Sequence, residues 1–387
     1  MSLKAQKRRR KRERQKERKK DRLSGLPDDL LLHIMQFMIT KHCVQTCVLS
    51  KRWKNLWKYL TNIKLHFISE SNSVLIDEFV SQFLSCRDNS VPLHSISYKN
   101  YEIPPKTTNI LVEIMEYAAS HNVQQLVINT ETIELSPSIF NCCSLTSLTL
   151  CLRDAYKPST TKMFPKSLNL PALKTLKLEH FTFLTSDSGY ADPFSTCNML
   201  SKLAIFSCGL QDDAQGLCIS NSEVSNLEIG TFKPHYYKIH KIILCTPKLT
   251  SLAINGDRPT FPAPSTCNLT LLEELKFDCW FGYTMGEGIL ISWLHLLAKV
   301  QIITLNHGIL DFMVNALKNS GSMRAQLPSF VKLKSLQLES HRWISDERAR
   351  EMDDAQDLCI SNSKVSNLVI GTCTSIPCSK FKDRKGI

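Results

Sequence analysis

One pattern recurs along this chain and restricts what it can fold into: apolar-x-x-apolar-x-apolar. It first reads Leu93-x-x-Ile96-x-Tyr98, then Val123-x-x-Leu126-x-Ile128 and Leu145-x-x-Leu148-x-Leu150. It continues through Leu173, Leu200, Val224, Leu249, Leu272, Val300 and Leu333 to Val365-x-x-Leu368-x-Ile370. The eleven starts lie 22 to 33 residues apart. Side chains alternate faces along a strand, so each unit is a short strand with its large residues on one side. A single unit cannot bury that row, and units of roughly 20–29 residues stack into a curved solenoid so that neighbours bury it. The expectation is an α/β fold in which residues 91–387 form a parallel sheet with helical or irregular arms behind it. The repeats are degenerate. The Asn or Cys that secures the turn in regular units is matched only by Cys208 and Cys373, and Thr260-Phe261-Pro262-Ala263-Pro264 interrupts the spacing.

Charge separates a tail from the body. The 387 residues carry a net charge of +12, of which residues 1–22 hold +10. That tail contains Lys7, Arg8, Arg9, Arg10, Lys11 and Arg12, then Arg18, Lys19 and Lys20, with almost no apolar residue to pack on a core. Two basic clusters fit a nuclear-import signal, which places the chain in the nucleus, the cytoplasm or both. A plain solvated tail and weak contact with nucleic-acid phosphates are the alternatives. No aromatic residue is interleaved to stack on a base. The near-neutral body gives no charge argument for nucleic acid. No apolar run approaches the ~18–20 residues of a membrane helix, so no membrane partner is expected.

The 15 cysteines are scattered, with no Cys-x-x-Cys pair and no zinc-type Cys/His spacing. They read as free, largely buried thiols in a reducing compartment, with no metal and no cofactor. Nucleophile-elbow, phosphate-loop and zinc-protease signatures are all missing, so no catalytic residue is nominated and a non-enzymatic role is expected.

Between the tail and the repeats the composition changes. In Leu26-Pro27-Asp28-Asp29-Leu30, Pro27 suits the first turn of a helix and the two aspartates suit its positive end. Leu30, Ile34, Phe37 and Met38 follow at helical spacing. A second short helix carries Val44, Cys47 and Val48. Ser50 can cap a third, striped with Trp53, Leu56, Trp57 and Leu60. So small a module makes a limited core, and some of its large apolar surface must meet the body or a partner. The run DRLSGLPDDLLLHI…CVLSKRWKNLW, over Asp21–Phe67, resembles an F-box of the plant F-box/leucine-rich-repeat (FBD-like) families. The resemblance implies a three-helix module over 23–65, a connecting helical segment over 66–90 and then the solenoid. It also implies docking on a Skp-type adaptor, and through it a cullin, in a ubiquitin ligase. Leu26, Pro27, Leu30, Ile34, Val48, Leu49 and Trp53 would make the adaptor contact, with Trp57 as an alternative core residue. A protein substrate would lie on the concave sheet face. Candidates there are Lys177, Glu179, Lys202, Phe206, Glu228, Asn255, Lys276, Asp278 and Gln337, a mixed-charge set that suits a polypeptide better than nucleic acid. The competing reading is a repeat scaffold that works outside any ligase, with the basic tail touching nucleic acid.

Residues 212–232 and 353–373 are identical at 17 of 21 positions. Packing asks only for a shared apolar skeleton, so near-identity at polar positions points to an internal duplication or a misassembled gene. The C-terminal end is expected to be shortened and its last repeat poorly capped.

Overall fold

The computed structural model describes residues 23, 25–67, 73–100, 109–131, 134–152, 162–186, 188–231, 239, 241–257, 269–280, 292–296, 298–306, 309, 332–339, 367–370 and 375–377. Both basic clusters of the tail, the end of the chain and all but Asn367–Ile370 of the second duplicated stretch lie outside them.

Thirteen strands form one sheet in chain order. They are β1 (Asn62–Phe67), β2 (Ser95–Asn100), β3 (Gln125–Thr130), β4 (Ser147–Leu152), β5 (Thr175–Glu179), β6 (Lys202–Phe206) and β7 (Asn226–Thr231). Then come β8 (Ser251–Asp257), β9 (Glu274–Trp280), β10 (Ile302–Asn306), β11 (Ser335–Glu339), β12 (Asn367–Ile370) and β13 (Ser375–Pro377). All pairings are parallel except the last, between β12 and β13. This is a parallel-strand solenoid of the leucine-rich-repeat kind.

The register follows the sequence pattern. One rung aligns Ile63, Ile96, Leu126, Leu148, Leu176, Leu203, Leu227, Leu252, Leu275, Ile303 and Leu336. A second, two residues on, aligns Leu65, Tyr98, Ile128, Leu150, Leu178, Ile205, Ile229, Ile254, Phe277 and Leu305. Together with the buried apolar residue that precedes each of β2 to β11, they form one continuous core from Ile63 to Leu336. The two duplicated stretches put equivalent residues, Asn226–Ile229 and Asn367–Ile370, into strands of this same sheet.

A polar ladder accompanies the apolar rungs. At the entry to each strand one carbonyl accepts two successive backbone N–H groups from the next repeat. Gln124 accepts from Thr146 and Ser147, Thr146 from Lys174 and Thr175, and Ser201 from Ser225 and Asn226. The same geometry runs from Thr61 to Gln301. The hydroxyls of Thr146, Ser201, Ser225 and Thr250 donate to the same carbonyls. The ladder satisfies backbone groups that stacking would otherwise bury unpaired.

The arms behind the sheet change along the chain. Helices α3 (Ser73–Cys86) and α4 (Ile110–Ser120) serve the first two repeats. In the middle, short strands replace them and form two three-stranded parallel sheets, one of 162–164, 181–183 and 209–210, the other of 190–191, 216–220 and 242–245. These arm sheets were not foreseen from the repeat pattern.

The solenoid also begins earlier than residue 91. Leu60-x-x-Ile63-x-Leu65 is a further copy of the pattern, and β1 pairs with β2 along its full length. The segment 66–90 is therefore not a separate connection: α3 is the first repeat's own arm. The stripe of aromatic residues just upstream makes Leu60 look like the end of a helical module, which hides this copy in the sequence.

At the strand ends His180, Ser207 and Gly256 adopt left-handed backbone, with φ of 65°, 46° and 95°. A Cβ at Gly256 would lie 2.2 Å from the Thr231 carbonyl oxygen. Strain and overlap act together there, so Gly256→Ala is expected to cost about 3 kcal/mol or more. Urea denaturation followed by circular dichroism would check it, and an unchanged midpoint would contradict the assignment.

Candidate docking surface

The segment before β1 folds as α1 (Asp28–Met35), α2 (Thr40–Gln45) and two 3₁₀ segments, Thr46–Val48 and Trp53–Tyr59. Sequence reading expects three short helices; the second is α-helical and ends in a 3₁₀ turn carrying Cys47 and Val48, and the third is wholly 3₁₀. Helix α1 begins one residue after Pro27, with Asp28 and Asp29 in its first turn and His33 in its last, as its dipole favours. Ser50 does not cap by its side chain; its carbonyl accepts the Trp53 N–H.

Leu31, Met35, Cys43, Trp53, Leu56 and Leu60 form a small separate core, with Leu26, Leu32, Met38 and Trp57 packed against it. The Cys43 thiol donates to the Met35 carbonyl, and burial pushes its pKa up to about 11. It is a packing group, not a nucleophile. All ten cysteines among the described residues for which a state is defined are free thiols.

Helix α1 has a second apolar face. Leu30, Ile34 and Phe37 recur at i, i+4 and i+7, one position out of phase with the buried Leu31 and Met35. Leu30 is 49% exposed and Phe37 73%. Val48 and Leu49, after α2, are 84% and 61% exposed. Of eleven large apolar residues exposed among the described residues, seven lie between Leu23 and Tyr59. The other four are spread singly over the solenoid. A concentration of this kind marks a contact surface.

The adaptor candidates therefore divide. Leu30, Ile34, Val48, Leu49 and Pro27 are on the surface, and Leu26 is half-buried against the module core. Trp53 must be corrected. It is 5% exposed and holds the module core together, because its face of the 3₁₀ segment turns toward Leu31 and Met35. Phe37 belongs with the exposed set, and the i, i+4, i+7 stripe was the signal for it.

The module is joined tightly to the sheet. The Thr40 hydroxyl accepts the backbone N–H of Lys64 on the edge strand at 2.8 Å. The buried Arg87 guanidinium donates to the carbonyls of Leu60, Asp88, Val91 and Pro92, at 2.8 to 3.3 Å. The Trp57 ring packs on Phe83 of α3, centroids 5.4 Å apart.

On the sheet, the substrate candidates share the face turned away from the core. Lys177, Glu228, Lys276 and Gln337 lie in one row of the register. Glu179, Phe206, Asn255 and Asp278 lie in the next, and Lys202 in a third. Asn255 donates to the Glu228 carboxylate at 2.7 Å, and Asn306 to that of Asp278 at 3.2 Å. Phe206 must be corrected as a free contact. It is 6% exposed because its ring lies flat over Gly230, where a Cβ would come within 2.7 Å of it. The Lys177 ammonium sits 4.9 Å from the ring centroid.

Comparison with known proteins agrees with this architecture. The F-box domain family matches residues 23–65. An FBD-associated F-box protein of Arabidopsis thaliana is 25% identical over 355 residues, 83% of this chain and 72% of its own length. Another from the same plant is 30% identical over 280 residues, 69% of this chain and 64% of that relative. An Arabidopsis F-box/LRR-repeat protein is 31% identical over 192 residues, 47% of this chain and 49% of its own length. Residues 23–65 are an F-box domain, and the chain as a whole is similar to Arabidopsis F-box/leucine-rich-repeat proteins. A further Arabidopsis relative, a putative FBD-associated F-box protein, is 30% identical over 190 residues, and the chain spans 45% of its length. F-box domains generally bind Skp-type adaptors, and the likeness points to a substrate-adaptor role.

Truncating a residue of the module core and one of its exposed face should give different results. Trp53→Ala is expected to lose about 3–5 kcal/mol of stability. Val48→Ala should stay within about 0.5 kcal/mol of the parent. Thermal melts of the two variants would check the division, and equal losses would contradict it.

Proposed function

We propose that this chain is the substrate-recognition subunit of an SCF-type cullin-RING ubiquitin ligase. The F-box module docks on a Skp-type adaptor, which links it to a cullin, and the solenoid holds a protein for ubiquitination. The observation that carries this reading is the concentration of exposed Leu30, Ile34, Phe37, Val48 and Leu49 on one small module. Large apolar side chains that become fully desolvated at an interface dominate its binding energy. The chain itself does no chemistry in this role. It raises the local concentration of substrate lysines near transfer machinery on other subunits.

The test is capture of the purified chain by a Skp-type adaptor. Leu30→Asp/Val48→Asp places two charges in the contact and should weaken capture by about 100-fold or more. Both positions are exposed, so the variant should keep the parent's melting temperature. A folded parent chain that does not bind the adaptor would rule the reading out.

We further assign Lys7–Arg12 and Arg18–Lys20 to nuclear import. A fluorescent fusion lacking residues 1–22 should leave the nucleus, and unchanged distribution would remove the assignment.

A further inference from the structure

The outward face of the sheet has a charge order along its length. On β1 to β6 its outward side chains include Lys64, Lys99, Lys177 and Lys202 against one carboxylate, Glu179. On β7 to β9 they include Glu228, Glu274 and Asp278 against one lysine, Lys276. The same faces of β3 and β4 present Gln125, Val127, Asn129, Ser147, Thr149 and Cys151, with no charge. At the module end the basic groups are close together. Lys64 pairs with Ser97 and His66 with Lys99 across β1 and β2, and His66 Nε2 lies 2.9 Å from Ser97 Oγ. His66 has its pKa lowered by burial and then by Lys99 and Lys64, so the local positive charge is that of the lysines. The Lys64 ammonium is 6.0 Å from the centroid of the exposed Phe37 ring, so this basic end adjoins the module's apolar surface.

Random placement of mixed charge would leave each half near neutral. Here the basic half precedes the acidic half along the stack. We infer that the sheet face binds a polypeptide segment with separated charge, its acidic end toward the F-box module and its basic end toward the later repeats. This rests on the receptor reading and adds the chemistry and direction of what is held. Nine strands at about 4.8 Å cover roughly 38 Å, the length of an extended segment of about 12 residues. Nucleic acid does not fit, because its uniform negative charge would meet Glu228, Glu274 and Asp278 at the far half.

The probes are two synthetic peptides of about 14 residues with identical Glu and Lys content, one with the charges in two blocks and one with them alternating. Binding to the full chain is read by fluorescence anisotropy. At low salt the block peptide should bind about tenfold tighter, and the difference should shrink at about 0.5 M salt. In Lys64→Glu/Lys99→Glu the preference should fall to about twofold or less, with circular dichroism confirming the fold. Equal affinities for the two peptides, or no binding of either by the folded parent, would overturn the inference. Adaptor capture measured on the same preparation separates the two readings. Capture without peptide discrimination leaves the ligase role and removes the charge order; discrimination without capture does the reverse.

Discussion

A strand with two large apolar side chains on one face, and a third just before it, has nowhere to bury them except against the same strand one repeat on. That requirement fixes the register of every parallel pair in the long sheet. A slip of one residue would turn the apolar rungs out and bring Lys177, Glu228 and Lys276 into the core. The carbonyl ladder from Thr61 to Gln301 makes the same demand in polar terms, since each acceptor serves two N–H groups of its neighbour. Apolar and polar constraints agree on a single alignment, and the outward face inherits its order from it.

A stack of parallel strands leaves a bare edge at its beginning. In this molecule the F-box module occupies that edge. Thr40 accepts the edge strand's Lys64 N–H, Arg87 donates to the Leu60 carbonyl across the junction and to three carbonyls of its own loop, and Leu60 packs in the module core while heading the sequence pattern of the first repeat. The helical segment thus has two jobs. One face closes the solenoid and the other, with Leu30, Ile34 and Phe37, remains exposed.

Much of this was legible in the sequence. Leu, Ile and Val at fixed spacing named the strands, and the run from Leu26 to Trp57 named the module. What was missed has physical causes. Leu60-Ile63-Leu65 is hidden by the helical stripe because one leucine satisfies both patterns. The side-chain type of Trp53 does not say which side of its 3₁₀ segment faces the core. Phe206 sits at an outward position, yet Gly230 on the next strand lets its ring lie down. Thr146, Ser201, Ser225 and Thr250, before four of the strands, carry a signal in their hydroxyls that a purely apolar pattern ignores. The short arm strands from Lys162 to Cys245 have too few residues to show an alternation of their own.

The Arg87 clamp has a mechanical meaning. The buried guanidinium holds the Leu60 carbonyl at the end of the module and, through Asp88, Val91 and Pro92, its own loop beside the sheet, so the junction does not rotate as a swivel would. Whatever grips α1 therefore sets the bearing of the whole sheet, as a hand on a handle sets the bearing of a blade. A tethered receptor would search a volume and dilute its cargo within it. In the proposed receptor role, a rigid junction would present the cargo along a single line, and the choice among its lysines would be made by distance and angle.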